Sequence, residues 1–279
     1  MQTTREACPL RSYARAPARA LLALALVATV APAASAAAAL EPHLAAYRLG
    51  LHGRSGASAL VGVRGGLVIE WRLACDGWLS RQRLSFVAAA EGGPSFSHDV
   101  RFSSWEASDG RRLRYAIQSF GDGGQTEEYR GEAEIERAAA GGLARFSVPQ
   151  EQDVKLPPGT IFPTEHLQQI MAGARDGEHF LSHEVFDGWG FDALTQITSV
   201  IGKPKQLDPA AAATGKLSGR AWPVSMAYYN VENPTDTPEF EASFLLIENG
   251  VLTELVLDYG EFSLDATLEK LELLDRPDC

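Results

Sequence analysis

Four carboxylates stand close to tryptophans in this chain: Glu70 beside Trp71, Asp76 two residues before Trp78, and Glu106 and Asp109 just after Trp105. Paired acids beside aromatic platforms are the equipment of glycoside cleavage, one carboxyl protonating the leaving oxygen and the other serving as base or nucleophile. A plainer reading competes with it. Asp76-Gly77 and Asp109-Gly110 are turn dipeptides, and the two glutamates fall at positions that suit the solvent side of a strand. The plainer reading is favoured, because acids at turns need no functional reason.

The other chemical markers are thin. His179-Phe-Leu-Ser-His183 places two imidazoles on one side of a strand, a spacing open to a metal, but there is no HExxH order and no third ligand nearby. Gly53-Arg-Ser-Gly56 lacks the second glycine of a nucleophile elbow at the required position, and no GxSxG occurs. No GxGxxG or phosphate loop lies on a strand-to-helix turn. We therefore assign no catalytic residue, no metal and no cofactor, and expect a protein that works by binding.

Three cysteines remain to be placed, Cys8, Cys75 and Cys279. Arg5, Arg11, Arg15 and Arg19, the apolar run from Leu21 to Val30 and the small-x-small Ala34-Ser35-Ala36 read as a secretory signal peptide over residues 1–36. Cleavage there removes Cys8. In an oxidising compartment the two that stay are most simply one disulfide. A catalytic thiol or a metal site are the alternatives, without a CxxC to support them. After cleavage, 25 basic and 36 acidic residues become 21 and 35, a net charge of −14 that disfavours nucleic acid and anionic membrane surfaces as partners. No later stretch reaches the roughly 18 apolar residues of a membrane helix, so the expected location is the periplasm.

The tryptophans are the remaining functional candidates. Trp71, Trp78, Trp105 and Trp189 could line a concave sheet as an apolar floor for a lipid or a hydrophobic protein segment, or could be packing. Trp71 and Trp105 fall at the inward phase of their strands and read as core. Trp78 and Trp189 stand next to turns and read as an exposed rim.

These residues must be held by strands. Residues 37–279 read as one domain of short alternating runs: Tyr47–Leu51, Leu67–Trp71, Trp78–Phe86, Val100–Trp105, Arg112–Phe120, Glu127–Arg137, Leu143–Val148, His179–Phe186, Phe191–Ile201, Ala221–Asn230, Phe240–Ile247, Val251–Tyr259 and Phe262–Leu274. Glycine and Asp-Gly turns separate them. One helix interrupts the series. Thr164 is its expected N-cap, Leu167, Ile170, Met171 and Ala174 share a face, and Gly177 ends it, so that face should cover an open end or edge of the sheet. Residues 202–215, rich in proline and alanine, read as a flexible connector inside the domain. The expected fold is all-β with one helix, an antiparallel sheet folding back on itself.

Several motifs in order, Glu70-Trp-Arg-Leu-Ala-Cys-Asp-Gly-Trp78 with Gln82-Arg83, Ser104-Trp-Glu-Ala-Ser-Asp-Gly110, Tyr129-Arg-Gly-Glu-Ala133, and Leu156-Pro-Pro-Gly-Thr-Ile-Phe-Pro-Thr-Glu-His166 with Phe186-Asp-Gly188, resemble the EipB family of alphaproteobacterial cell envelope integrity proteins. The likeness spans essentially all of residues 37–279. It implies a periplasmic, roughly spherical protein made of one long antiparallel sheet that spirals into an open barrel, with a disulfide from the Trp-rich strand to the C-terminus, positions that Cys75 and Cys279 fit. It further implies a role in envelope integrity under stress, a periplasmic tetratricopeptide-repeat protein as partner, and a likeness to lipoprotein carriers whose barrels hold acyl chains. No enzymatic activity comes with the family. A scaffold with a filled interior is the alternative to a carrier, and a cell-wall glycan hydrolase comes last.

Overall fold

The computed structural model describes residues 40–55, 60–136, 140–207, 217, 219–232 and 235–279. The leader read at 1–36 and residues 208–215 of the connector lie outside them.

Alternation dominates the chain and the chain becomes sheet. Strands β1 (His43–Arg54), β2 (Leu60–Ala74), β3 (Gly77–Ala90), β4 (Phe96–Ala107), β5 (Arg112–Gly121), β6 (Gly124–Ile135), β7 (Gly142–Val148) and β8 (Gln152–Leu156) follow one another. Helix α1 (Pro163–Asp176) comes next, then β9 (Phe180–Phe186), β10 (Leu194–Ile201), β11 (Lys205–Gln206), β12 (Arg220–Asn230), β13 (Phe240–Ile247), β14 (Leu252–Asp258) and β15 (Phe262–Leu273). In β1 the buried Ala45, Tyr47 and Leu49 alternate with residues that meet solvent, the period-two pattern of a sheet with one wet face.

All fifteen strands join a single sheet, and every ladder in it is antiparallel. Neighbours in sequence are neighbours in space, with β11 set off the path against β12, and the first and last strands pair as β1–β15. The ring of strands is therefore broken at one place, between β8 and β9. The chain itself spans the break: the Ile161 N–H donates to the Glu184 carbonyl at 3.0 Å and the Phe186 N–H donates to the Ile161 carbonyl at 3.0 Å. The sheet is a nearly closed barrel, and closing a sheet protects the strand edges that would otherwise pair with other chains.

A disulfide fastens it. Cys75, in the turn between β2 and β3, bonds Cys279 across 204 residues. The C-terminal segment reaches it alongside residues 40–42, held by the Leu274 N–H donating to the Pro42 carbonyl and by an Arg276–Glu41 ion pair. Among the described residues no helix is long and apolar enough to cross a membrane.

Two strands were not legible beforehand. β8 is five residues, Gln-Asp-Val-Lys-Leu, followed at once by Pro157-Pro158, and β11 has two. Helix α1 begins earlier than expected. Phe162, in an extended conformation, takes the N-cap position and Pro163 opens the helix, so Thr164 lies inside the first turn and not at the cap. Gly177, left-handed at φ 82°, ends the helix as expected.

Candidate functional site

The two ends of the barrel differ. At the end that carries the disulfide, α1 lies inside: Ile170, Met171 and Ala174 pack with Leu40, Trp71, Trp78, Trp222 and Ile247 in the main core. Leu167 of the same helix face is only partly buried.

Glu106 fixes this helix. It projects inward from β4, is 3% exposed, and accepts the Thr164 backbone N–H at 2.8 Å on one oxygen and the Glu165 N–H at 2.9 Å on the other. Free N–H groups and the positive end of the helix dipole suit a carboxylate there. Burial nevertheless dominates and pushes the carboxyl up to about 7, the hydrogen bonds from Thr164 and Glu165 opposing it. A residue of β4 thus does the work of the missing local cap.

That placement separates the acids suggested by the sequence. Glu70 faces outward and pairs with Arg72 at 2.8 Å and Arg81 at 3.6 Å, whereas Glu106 faces inward. The sheet lies between them, so they cannot act on one glycosidic bond. Asp76 accepts the Trp105 indole N–H at 3.3 Å, and Asp109 accepts the Arg111 N–H at 3.1 Å. Both are turn residues.

Close to the helix lies a small polar cluster. His166 of α1 and His183 of β9 have ring centroids 5.5 Å apart. His166 Nε2, His183 Nδ1 and the hydroxyl of Ser199 on β10 are buried without partners. Burial drives His166 down to about 4, with His183 adding to the effect, and burial lowers His183 as well. Its sequence neighbour His179 is engaged elsewhere, with Nδ1 3.0 Å from the Ile201 carbonyl. Among the described residues no group of three or more His, Cys, Asp or Glu is placed to hold a metal.

The opposite end is open and aromatic. Register places Phe86, His98, Tyr228, Phe240 and Phe262 on the inner face, because each stands in line with buried residues of its own strand. Tyr228 touches Phe240 (5.1 Å between centroids), Phe240 touches Tyr259 (5.1 Å), and Tyr259 stacks on Phe262 (5.2 Å). Phe262 meets Phe86 edge-on at 6.4 Å, and Phe86 meets Phe96 and His98. The result is a continuous aromatic wall across five strands. Although they face inward, Tyr228, Phe240, Phe262 and His98 are only half-buried, and Phe96 and Tyr259 are exposed. Inner surface that solvent can reach is surface the barrel has not filled with its own side chains.

The loop after β9 edges this opening. Gly188, at φ 86°, crosses directly above Tyr115, and a Cβ there would sit 2.3 Å from its ring. Asp187 accepts the Trp189 N–H at 2.9 Å, and burial pushes its carboxyl up to about 6. Burial also raises the Tyr228 phenol, with the Asp187 charge contributing. Trp189 is 38% exposed at the rim, while Phe191 turns in against Phe146 at 5.0 Å.

The four tryptophans therefore take different places. Trp71 is buried in the core. Trp78 is also in the core, where an exposed rim was expected, because it lies beneath the helix-filled end. Trp105 points outward and not inward: Ser104 and Glu106 take the inner phase of β4, and Trp105 lies under the guanidinium groups of Arg112 and Arg114 at 5.5 and 5.3 Å. Only Trp189 stands at the opening. The phenylalanines and tyrosines that build the wall were missed, although counting in twos from Trp71 and its partner Ser80 on β3 would have put Phe86 inside; Phe262 escapes such a count because β15 shifts register against β1.

Comparison with known proteins completes the description. The family model described as EipB-like matches residues 34–275. The chain is 32% identical over 250 residues to the cell envelope integrity protein EipB of Brucella abortus (strain 2308), covering 87% of this chain and 88% of that protein. It is also similar to the crystal structure of a β-barrel-like protein of a domain of unknown function from Brucella abortus, with a TM-score of 0.79 and 30% identity over 86% of this chain and 100% of that one.

Proposed function

The chain belongs to the EipB-like family, and from that premise we propose that it supports cell envelope integrity by holding an apolar group, a lipid or the acyl part of a lipoprotein, against the aromatic wall at the open end of its barrel. The observation that carries this reading is the solvent-reachable inner surface of Tyr228, Phe240, Tyr259 and Phe262. A soluble β-barrel of this size fills its interior or binds something in it. The work is done in the periplasm after removal of residues 1–36, and the exposed Cys75–Cys279 bond suits that oxidising compartment. We read this as binding and not catalysis: the described residues present aromatic surface, the His98 imidazole, one buried carboxyl and phenol hydroxyls at the open end.

A second reading rests on a different surface. Phe180 and Val200 are cross-strand partners on the outside of β9 and β10, 61% and 55% exposed, at the terminal strand of the sheet. An apolar pair at a sheet edge suits a protein partner, and the tetratricopeptide-repeat protein implied by the resemblance is the candidate for it.

A chain-length series tests the first reading. Moving a methylene from water onto the wall gains about 0.8 kcal/mol, roughly a fourfold drop in Kd per carbon. Lysophospholipids of increasing acyl length should follow that slope until the wall is covered, and Phe240→Ser with Tyr259→Ser should flatten it. Affinity independent of chain length, together with a bare polypeptide mass in native mass spectrometry of protein purified without detergent, would leave the edge-contact scaffold as the function.

A further inference from the structure

The outer face of the barrel carries a second, separate cleft. A groove of about 710 Å³ runs over β5 to β8, with Arg114, Arg130, Arg145, Glu132, Glu151 and Asp153 on its walls. That volume lies in the range of small-molecule sites. Its origin is a break in register between Arg130 and Gly131, which leaves Ser147 of β7 without an opposite number. At Gly131 the β6 backbone passes against Tyr115: a Cβ there would lie 2.3 Å from the Arg145 carbonyl oxygen and 2.4 Å from the Tyr115 hydroxyl, so only glycine allows this close approach.

Tyr115 lines the groove there. It is 4% exposed, and its hydroxyl has no hydrogen-bond partner. A buried hydroxyl left unpaired is costly and uncommon in a folded protein, so a group that asks for an acceptor here is a pointer to a ligand. Burial, with the Asp187 charge adding, raises the phenol pKa and keeps the hydroxyl a donor.

Two of the three guanidinium groups lack an ion-pair partner among the described residues. Arg130 is paired with Glu128 at 2.5 Å, but among the described residues neither Arg114 nor Arg145 has a carboxylate oxygen within 4 Å. Acids are nevertheless adjacent. Glu132 stands in register between Arg114 and Arg145, and Asp153 opposes Arg145 on β8. Donors for an oxyanion and acceptors for hydroxyl groups thus alternate along one row, Arg114 resting on the Trp105 ring and Arg145 without a partner carboxylate.

We propose that this groove binds a sugar unit that carries an oxyanion, a phosphate or a carboxylate. Arg114 and Arg145 grip the oxyanion, the Tyr115 hydroxyl donates to it beside Gly131, and Glu132, Glu151 and Asp153 accept the sugar hydroxyls. A bare anion fits worse, because three acids line the same groove as three arginines. A neutral sugar offers the guanidinium and phenol donors only hydroxyl oxygens, weaker acceptors than an oxyanion.

Isothermal titration calorimetry on the protein tests this with glucose 1-phosphate, glucuronate, glucose, inorganic phosphate and the dipeptide alanylglutamate. At least one of the two acidic sugars should bind ten times more tightly than glucose, inorganic phosphate or the dipeptide. Tyr115→Phe, which keeps the ring packed on Phe146 and Phe186, and Arg145→Gln should each weaken that binding tenfold or more at unchanged melting temperature. Preference for the phosphate points to a glycolipid headgroup as source, and preference for the carboxylate to an acidic glycan. No binding, equal affinity for glucose or inorganic phosphate, binding of the dipeptide alone, or indifference to both substitutions overturns the proposal. None of these results depends on the aromatic wall at the barrel's open end.

Discussion

Replacing Glu106 by glutamine should make the protein more stable at pH 8 than the parent, although it removes a carboxylate that accepts two backbone N–H groups. Burial lifts the carboxyl from an ordinary 4.5 to about 7. A folded-state value above the unfolded one means that, between those two pH values, the folded protein keeps a proton that the unfolded chain has released. The stabilising contribution is full below about 4.5 and is lost as pH rises through about 7. At about 1.4 kcal/mol per unit, the loss comes to roughly 3 kcal/mol.

Glutamine resembles the protonated acid in shape, but its amide has one oxygen that accepts and a nitrogen that only donates, so one of the Thr164 and Glu165 N–H groups loses its acceptor. At pH 5 the variant should therefore lie below the parent by the cost of one unpaired N–H, about 1 kcal/mol. By pH 8 the parent carries a buried charge and the variant does not, so the pH-dependent loss of roughly 3 kcal/mol leaves the variant ahead by about 2 kcal/mol, roughly 4–8 °C in Tm. Glu106→Ala serves as control: it leaves the Thr164 and Glu165 N–H groups unpaired at every pH and should cost about 2–4 kcal/mol throughout. Thermal melts of the three proteins from pH 5 to 8 decide the matter, since the titration of other groups cancels in the difference. If the glutamine variant were the less stable one at pH 8, the helix N-terminus would outweigh burial and the reasoning would be refuted.

The histidine cluster should act in the opposite direction. His166 is held down to about 4, so between about 6.5 and 4 the unfolded chain takes up a proton that the folded one refuses, and stability falls with acidification by up to roughly 3 kcal/mol. His166→Leu should flatten that acid limb in melts between pH 7 and 4, and an unchanged limb would move the effect to another group. Cys75→Ser opens a loop of 204 residues, worth about 5 kcal/mol as an upper figure from chain entropy. Lower Tm and rapid proteolysis of the segment after Leu274 are expected, and a tail that stays protected would show that Arg276–Glu41 and the Leu274 hydrogen bond hold it alone.

What the sequence made legible was whatever repeats within one strand. Alternation in Tyr47–Leu51 or Trp78–Phe86 reports a local period, and thirteen of the fifteen strands follow from it. The failures are all non-local. Thr164 is a good capping residue, but the actual cap is Glu106, 58 positions away, and no local pattern can announce a partner on another strand. The same contact misled the phase of β4, because a carboxylate reads as solvent-facing and its neighbour Trp105 then reads as core. His179 and His183 look like a pair in sequence, whereas His183 meets His166, which the chain brings there only after closing the ring of strands.

Ring closure also explains why one end of the barrel is full and the other is not. The meander breaks between β8 and β9, and the residues that span the break supply the only helix among the described residues. Glu106 draws that helix's N-terminus inward while Ile170, Met171 and Ala174 sink among Trp71, Trp78 and Trp222. A single helix of 14 residues is about 21 Å long, and it is committed to the disulfide-bearing end. The opposite end must be finished by side chains alone, and there the strands place rings that touch one another in a wall and leave their inner faces half-exposed. The filled end and the open end are thus two consequences of one topological event, the insertion of α1 where the sheet would otherwise have closed.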